Sequence, residues 1–575
     1  MKIKTNLILN VLIYCILISC SNREGKYCIE LCATNDLHGR YFDSLYTDNQ
    51  ANKHSLANVS AHLKNLRREI GEKSVLLIDV GDALQGDNAV FYSNYIDTAA
   101  NRKHLFTRVS EYLEYDALVV GNHDIETGHK VYDKIADEIS IPYLAANAID
   151  QKSGKCYFEP YKVFDKNGVK VAVIGMTNPN IKKWLGEELW SGIDFLPIEE
   201  LAIDIIDELR NNENPDIVIL AIHGGLGNGE SEGIENPARY LAAKLQGVDI
   251  ILASHDHQTA CEKIWNGKDS VLVMDGSNRA KYLVNAKIEC EYADNKLISK
   301  KITGSLIPME NTPIDTVYRD EFRSDFIKTK EFTNQVIGKI ESDIFTRDAF
   351  FGSSDYMDIV HTVQLSSSNA DISLAAPLTY NGKVKAGVLK YNDLFTIYPY
   401  ENSLYVVKMT GEQIKNYLEY SYDTWIETMK SPADHIMNIR YNEKRGGYSF
   451  VNISYNFDSA AGIDYEVDVT KPLGERVIIK SMLNGEMFDN NKTYNVALSS
   501  YRANGGGDLL TKGASIDKDD LEGIVLGKFN DIRSLIYDFY MSGNDKNIIK
   551  SSWKFIPEKI VAPAIKRDRS LLFGN

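Results

Sequence analysis

Between residues 27 and 310, short apolar runs alternate with amphipathic stretches. The runs are YCIELCAT, SVLLIDV, YDALVV, VKVAVIGM, DIVILAI and VDIILAS, and segments such as ANVSAHLKNLRREIG and IEELAIDIIDELRNN lie between several of them. Near-continuous apolar runs of strand length are what strands buried on both faces look like. The expected fold class is therefore α/β, a layered sheet domain with helices on both faces. In open sheets of this kind, ligands collect outside the carboxyl ends of the strands. The residues that directly follow each run then matter most.

Those residues share one chemistry. Asn35, Asp36 and His38 follow the first run, Asp82 the second, and Asn122, His123, Asp124 and Glu126 the third; His223 follows DIVILAI, and His255 and His257 follow VDIILAS. Five of the eleven histidines thus stand directly beyond a strand-like run. Imidazole with carboxylate suits zinc, manganese, iron or cobalt. Seven candidate ligands (Asp36, His38, Asp82, Asn122, His223, His255 and His257) are too many for one ion. Two divalent cations sharing a carboxylate, roughly 3.5–4 Å apart, would use them all. No GxSxG nucleophile motif competes.

The stretches TNDLHGR, DVGDALQGD, GNHDIETG, HGG and SHDHQ resemble the five motifs of the calcineurin-like metallophosphoesterases. The resemblance assigns Asp36, His38 and His257 to one metal and Asn122, His223 and His255 to the other, with Asp82 bridging. It makes His123 a phosphate-facing catalyst rather than a ligand, with Glu126 as its orienting carboxylate, and leaves Asp124 a structural place. It also implies hydrolysis by a metal-activated hydroxide with no covalent enzyme intermediate.

A charged, helix-compatible stretch at 312–345 reads as a linker between a catalytic domain at 27–311 and a second, α+β domain at 346–562. In the second domain, IYPYENSL and SSYRANGGGDLL match the places where 5′-nucleotidase-type domains hold a nucleobase between aromatic rings. The resemblance implies Tyr400 and Tyr501 as the stacking pair and Asn402 as a polar contact. Stacking is worth about 1–3 kcal/mol per base and tolerates base identity. Many 5′-nucleotidases carry an NGGGIR-like stretch, whereas here the comparable place reads ISLAAPLTYNGKVKAG, without arginine. LAAP, GSSDYMDIVHTVQ and NFDSAAGIDYEVDVTKP are instead similar to the 2′,3′-cyclic-nucleotide 2′-phosphodiesterase/3′-nucleotidase branch. The implied substrates are 2′,3′-cyclic nucleotides and 3′-nucleotides. The alternatives are a 5′-nucleotidase or UDP-sugar hydrolase of the same architecture, or a non-catalytic nucleotide-binding lipoprotein.

Lys2 and Lys4 precede the apolar run LILNVLIYCILIS, too short for a comfortable membrane span, which reads as a signal peptide over 1–20. LISC at 17–20 resembles a bacterial lipoprotein signal and makes Cys20 the expected lipidation site. The protein is then expected in the bacterial cell envelope, held to a membrane by lipid and facing the periplasm or the cell surface. A formal charge of −16 argues against nucleic acid polymers as partners, and a monomer is expected. The five remaining cysteines read as mostly buried small hydrophobes, because Cys28 and Cys32 lie too far apart along one strand to pair.

Overall fold

Strand runs buried on both faces need two partners each, and the fold supplies a helix layer on one side and a second sheet on the other. The computed structural model describes residues 23–46, 51–98, 102–230, 235–400, 402–443, 446–544 and 547–574. The signal segment, Cys20 and the anchor expected there lie outside the described residues.

The first domain contains strands β1 (Gly25–Thr34), β2 (Val75–Asp79), β3 (Ala117–Val119), β4 (Tyr143–Leu144), β5 (Tyr161–Lys166), β6 (Val169–Met176), β7 (Ile217–Ile222), β8 (Ile250–Leu252), β9 (Thr259–Trp265), β10 (Ser270–Gly276), β11 (Tyr282–Ala293) and β12 (Lys296–Pro308). They form two six-stranded sheets, ordered β12-β11-β1-β2-β3-β4 and β9-β10-β8-β7-β6-β5. Strands β1 to β4 run parallel in one sheet, and β6, β7, β8 and β10 run parallel in the other.

Alternation along β7 shows the layering. Ile217, Ile219 and Ala221 join Ile29, Leu31 and Ile78 of the first sheet in the core between the sheets. Val218, Leu220 and Ile222 face outward against Ala202, Ile205 and Leu209 of helix Ile198–Asn212. The other sheet is covered by helix Leu56–Ile70 through Leu56, Val59 and Leu63. Each aliphatic side chain so buried contributes about 1.5–3 kcal/mol relative to exposure. Two sheets face to face, where sequence suggested one, follow from this: a run that is apolar at every position records burial on both faces without saying whether helix or sheet covers them.

The segment after β12 is docked, not free. Helices Thr316–Glu321 and Arg323–Thr333 follow one another, and Tyr318 and Phe322 are buried in the core of the first domain. Asp325 pairs with Arg102 at 2.7 Å and with Arg108 at 2.5 Å. Strand Val336–Ile340 then pairs with Gly387–Lys390.

The second domain is built on a five-stranded sheet. Its strands β13 (Ile372–Ala375), β14 (Ser403–Thr410), β15 (Ser459–Ala461), β16 (Thr493–Ser499) and β17 (Val525–Asp531) are ordered β15-β13-β16-β14-β17. Parallel β13 and β16 end at the same edge at which antiparallel β14 and β15 begin. That edge faces the first domain. Of the cysteines, all five described are free; Cys32 and Cys290 are buried, Cys28 and Cys156 are half-buried, and Cys261 is exposed because it lies on edge strand β9.

Asp325→Ala leaves Arg108 without its carboxylate and Arg102 with Asp97 alone. It should destabilise the chain by about 1.5–3 kcal/mol in urea unfolding, whereas Asp320→Ala, on the exposed side of the same segment, should stay within about 0.5 kcal/mol.

Candidate metal centre and substrate cavity

Parallel strands bring their carboxyl ends to one side, so the loops after β1, β2, β3, β7 and β8 meet there. Asp36, His38 and His257 place donor atoms within 4.8 Å of one another, and so do Asp82, His223 and His255. Each is a group that could hold a metal ion. Five of these residues have left-handed backbones: Asp36 (φ 44°), His38 (45°), Asp82 (59°), His255 (80°) and His257 (56°). Such conformations cost on the order of 1–3 kcal/mol each in a non-glycine residue and persist where surrounding structure enforces them.

The enforcing contacts are visible. Asp124 accepts backbone N–H bonds from Asp82 (3.0 Å) and Gly121 (2.8 Å) on one oxygen, and from Ala83 and Leu84 (3.0 Å each) on the other. One buried carboxylate thereby clamps the loop after β2 to the loop after β3. Asp36 accepts from Ser254 Oγ at 2.5 Å and from the His255 N–H at 3.0 Å, which joins the first sheet to the second. Asn35 adds a bond from its Nδ2 to the Ala253 carbonyl at 2.5 Å.

Two of the imidazoles are anchored to backbone carbonyls through Nδ1, and His38 Nε2 also lies 3.1 Å from His257 Nε2. His38 Nδ1 donates to the Gln85 carbonyl and His223 Nδ1 to the Val80 carbonyl, both at 2.8 Å. Since a carbonyl only accepts, Nδ1 carries the hydrogen in both rings, and in the neutral form that a metal ligand takes Nε2 is the lone-pair nitrogen. His255 Nε2 lies 3.1 Å from Glu235 Oε1, which leaves Nδ1 as its free nitrogen. Burial holds His38 down at about 4 despite Asp82 and Asp36, so it is neutral as a ligand must be. His223 behaves oppositely: burial pushes it down, but Asp82 and Asp36 hold it at about 9.

These residues fit a divalent cation. Among the described residues, Asn122 Oδ1 and His223 Nε2 are buried without a hydrogen-bond partner. His223 Nε2 lies 3.0 Å from Asp82 Oδ2, close enough for attraction but outside hydrogen-bond geometry. Orphaned buried acceptors call for an explanation, and a shared cation gives one.

His123 is placed differently. Its backbone N–H donates to Asp82 Oδ1 at 2.8 Å, and its Nδ1 is hydrogen-bonded to Glu126 Oε2. Burial lowers its proton affinity, but Asp82 and Glu126 outweigh this and raise it to about 10. A cation would neutralise the Asp82 share of that effect.

Asn122, His123, Glu126 and His255 line one end of a cavity of about 420 Å3. Tyr400, Asn402 and Tyr501 line it from the second domain. The structure thus brings every candidate ligand and substrate contact to one candidate metal centre and its adjoining cavity. Four contributors were not apparent in sequence. Trp184 stacks on His255 with centroids 5.4 Å apart and planes at 14°. Glu235 meets the same ring from the other nitrogen. Tyr455 stands edge-on to Tyr501 at 6.4 Å. Arg502, buried, pairs with Asp458 at 2.6 Å and donates to the Tyr455 and Gly506 carbonyls. Arg502 sits inside the stretch SSYRANGG and Glu235 opens the stretch ENPARYLAAKLQ, both of which carry the family resemblance; Trp184 and Tyr455 belong to no pattern.

Comparison with known proteins agrees with this architecture. Residues 30–259 match the calcineurin-like phosphoesterase family, and residues 336–512 match the 5′-nucleotidase C-terminal domain. The chain joins a calcineurin-like phosphoesterase domain to a 5′-nucleotidase C-terminal domain and is a phosphoric ester hydrolase. The trifunctional nucleotide phosphoesterase protein YfkN of Bacillus subtilis is 26% identical over 543 residues, 83% of this chain, which spans only 36% of that longer protein. A Vibrio parahaemolyticus 5′-nucleotidase is 25% identical over 496 residues, covering 77% of this chain and 85% of the relative. A Salmonella typhimurium 2′,3′-cyclic-nucleotide 2′-phosphodiesterase/3′-nucleotidase is 25% identical over 556 residues, covering 85% and 83%. A Staphylococcus aureus protein solved with alpha-ketoglutarate shares the fold at a TM-score of 0.75 and 20% identity, over 92% of this chain and 100% of that one.

A Cβ on Gly121 would meet Asp82 Oδ1 at 2.1 Å and Asp82 N at 2.4 Å. Gly121→Ala should therefore lose bound metal in elemental analysis and cost about 1–3 kcal/mol of stability. Gly447→Ala, with open space around it, should change neither.

Proposed function

We propose that the protein hydrolyses 2′,3′-cyclic nucleotides to 3′-nucleotides and then removes the 3′-phosphate, using two divalent cations. The observation that carries this reading is the single cavity with candidate metal donors at one end and four tyrosines, Tyr398, Tyr400, Tyr455 and Tyr501, from the other domain. Its volume lies within the range of small-molecule sites. Asp36, His38 and His257 would hold one cation, Asn122, His223 and His255 the other, and Asp82 both. When bound, they supply Lewis acidity toward the phosphoryl oxygens and a hydroxide at neutral pH.

The chain's own groups do the rest. His123, with Nδ1 on Glu126, is oriented to give its Nε2 proton to the leaving oxygen: the ribose 2′-oxygen in the first step and the 3′-oxygen in the second. The tyrosines grip the base and fix the ribose against the metal end. Support for this branch over a 5′-nucleotidase comes from the wall at 374–378, where Leu374, Ala375, Ala376 and Leu378 line the cavity without a cation. Among the described lining residues Arg502 is the one Lys or Arg, and Asp458 already holds it. The 5′-nucleotidase reading uses the same centre and differs in which ester the cavity presents. The sequence LISC further supports a lipid-anchored enzyme of the cell envelope that salvages nucleosides and phosphate outside the cytoplasm.

Turnover of 2′,3′-cyclic AMP, 3′-AMP and 5′-AMP, with and without chelator, tests the reading. The first two should be turned over faster, and chelator should abolish activity; a preference for 5′-AMP or chelator-resistant turnover would contradict it. His123→Ala should lower kcat by about 10²–10⁴-fold with metal content unchanged, and loss of metal would make His123 a ligand instead.

A further inference from the structure

The second-domain wall of the cavity contains a buried hydrogen-bond chain whose direction decides what it shows to a ligand. Gln364, on helix Asp355–Ser368, lines the cavity and is 1% exposed. Its Oε1 lies 2.6 Å from Ser373 Oγ. Ser373 Oγ lies 2.8 Å from His361 Nδ1, and His361 Nε2 lies 3.3 Å from Ser459 Oγ. His361, Ser373 and Ser459 are all buried. Burial holds His361 down at about 3, so the ring is neutral and carries one N–H.

Each hydroxyl has one proton, so the chain can run in only two directions. In the first, Ser459 donates to His361 Nε2, His361 Nδ1–H donates to Ser373 Oγ, and Ser373 donates to Gln364 Oε1. The Gln364 NH2 is then left over, facing the cavity. In the reverse direction the amide is flipped, and the Ser459 hydroxyl proton has no acceptor among the described residues. A buried donor without an acceptor is the costlier arrangement, and amide orientation is assigned by the network that satisfies every donor. The first direction does so.

The cavity therefore meets a fixed, donor-only group beside the apolar Leu374 and Ala375. Gln364 comes from the same domain as Tyr400 and Tyr501, the residues proposed to hold the base. We propose that Gln364 is a specificity residue that reads the nucleobase, donating from Nε2 to an in-plane ring nitrogen or carbonyl oxygen. Every base offers such an acceptor, so the contact adds affinity for nucleosides without choosing one base. The proposal rests on the nucleotide reading of the cavity.

Calorimetric binding of adenosine to the full chain, wild type and Gln364→Leu, tests it. The variant should bind about three- to tenfold more weakly, and Gln364→Glu, which presents an acceptor instead, more weakly still; melting temperatures report whether each variant is folded. The wild-type-to-variant ratio should fall to one with 1-, 3- or 7-deazaadenosine, whichever lacks the contacted nitrogen, and persist with 2′-deoxy- and 5′-deoxyadenosine. A purely structural Gln364 would show no such dependence on the analogue. Equal adenosine affinity in a folded variant, or a ratio lost with a deoxy analogue, would overturn the proposal. Failure of the wild type to bind adenosine would instead overturn the nucleotide reading.

Discussion

The site depends on one carboxylate that touches no candidate metal donor atom. Asp124 receives four backbone N–H groups, from Asp82, Ala83, Leu84 and Gly121. These come from loops after neighbouring parallel strands, which otherwise have no reason to keep a fixed spacing. Hydrogen bonds to a charged acceptor contribute about 1.5–3 kcal/mol each, enough to hold Asp82 in its left-handed conformation (φ 59°). Once Asp82 is held, its Oδ1 fixes the His123 N–H, and the short helix Asn122–Ile125 places Asn122 and His123 on opposite sides of a division of labour. In the proposed reaction one would serve as a ligand and the other would give a proton.

The cavity is closed by contacts between domains on both flanks. On one, Phe91 of the first domain joins Phe332, Tyr391 and Phe395, and the Arg533 guanidinium lies over the Phe91 and Phe395 rings at 5.3 and 4.1 Å. On the other, Tyr405 donates to Glu188 at 3.2 Å. Residues of both domains line the cavity, and in the proposed reaction the first domain would carry the phosphoryl chemistry and the second would hold the nucleoside.

Much of this was legible in the sequence because the candidate ligands stand directly beyond apolar runs. A strand end fixes position without long-range knowledge, so Asp36, His38, Asp82, Asn122, His223, His255 and His257 could be named from adjacency and residue type. Glu126 was named as the partner of His123 from the resemblance of GNHDIETG to the family motif, and the structure places its carboxylate on His123 Nδ1. What sequence did not carry were contacts between distant segments. Trp184 on His255 is a packing fact between segments 71 residues apart in number, and Asp124 could be called structural but not seen as a clamp. The docking of 316–333 onto the first domain was hidden by its charge, since Asp325 is charged in order to meet Arg102 and Arg108. The second sheet was hidden because burial, not its cause, is what an apolar run records.

The most direct measurement is the metal stoichiometry of Asp124→Asn, determined by elemental analysis on protein whose circular dichroism matches wild type. The substitution keeps shape but turns an acceptor oxygen into a donor facing two backbone N–H groups. If Asp124 holds the centre together, the variant should bind clearly less metal per chain than wild type and lose turnover in proportion. Full metal loading with wild-type turnover would contradict the account, and the placement of Asp82, Asn122 and His123 would then need another cause.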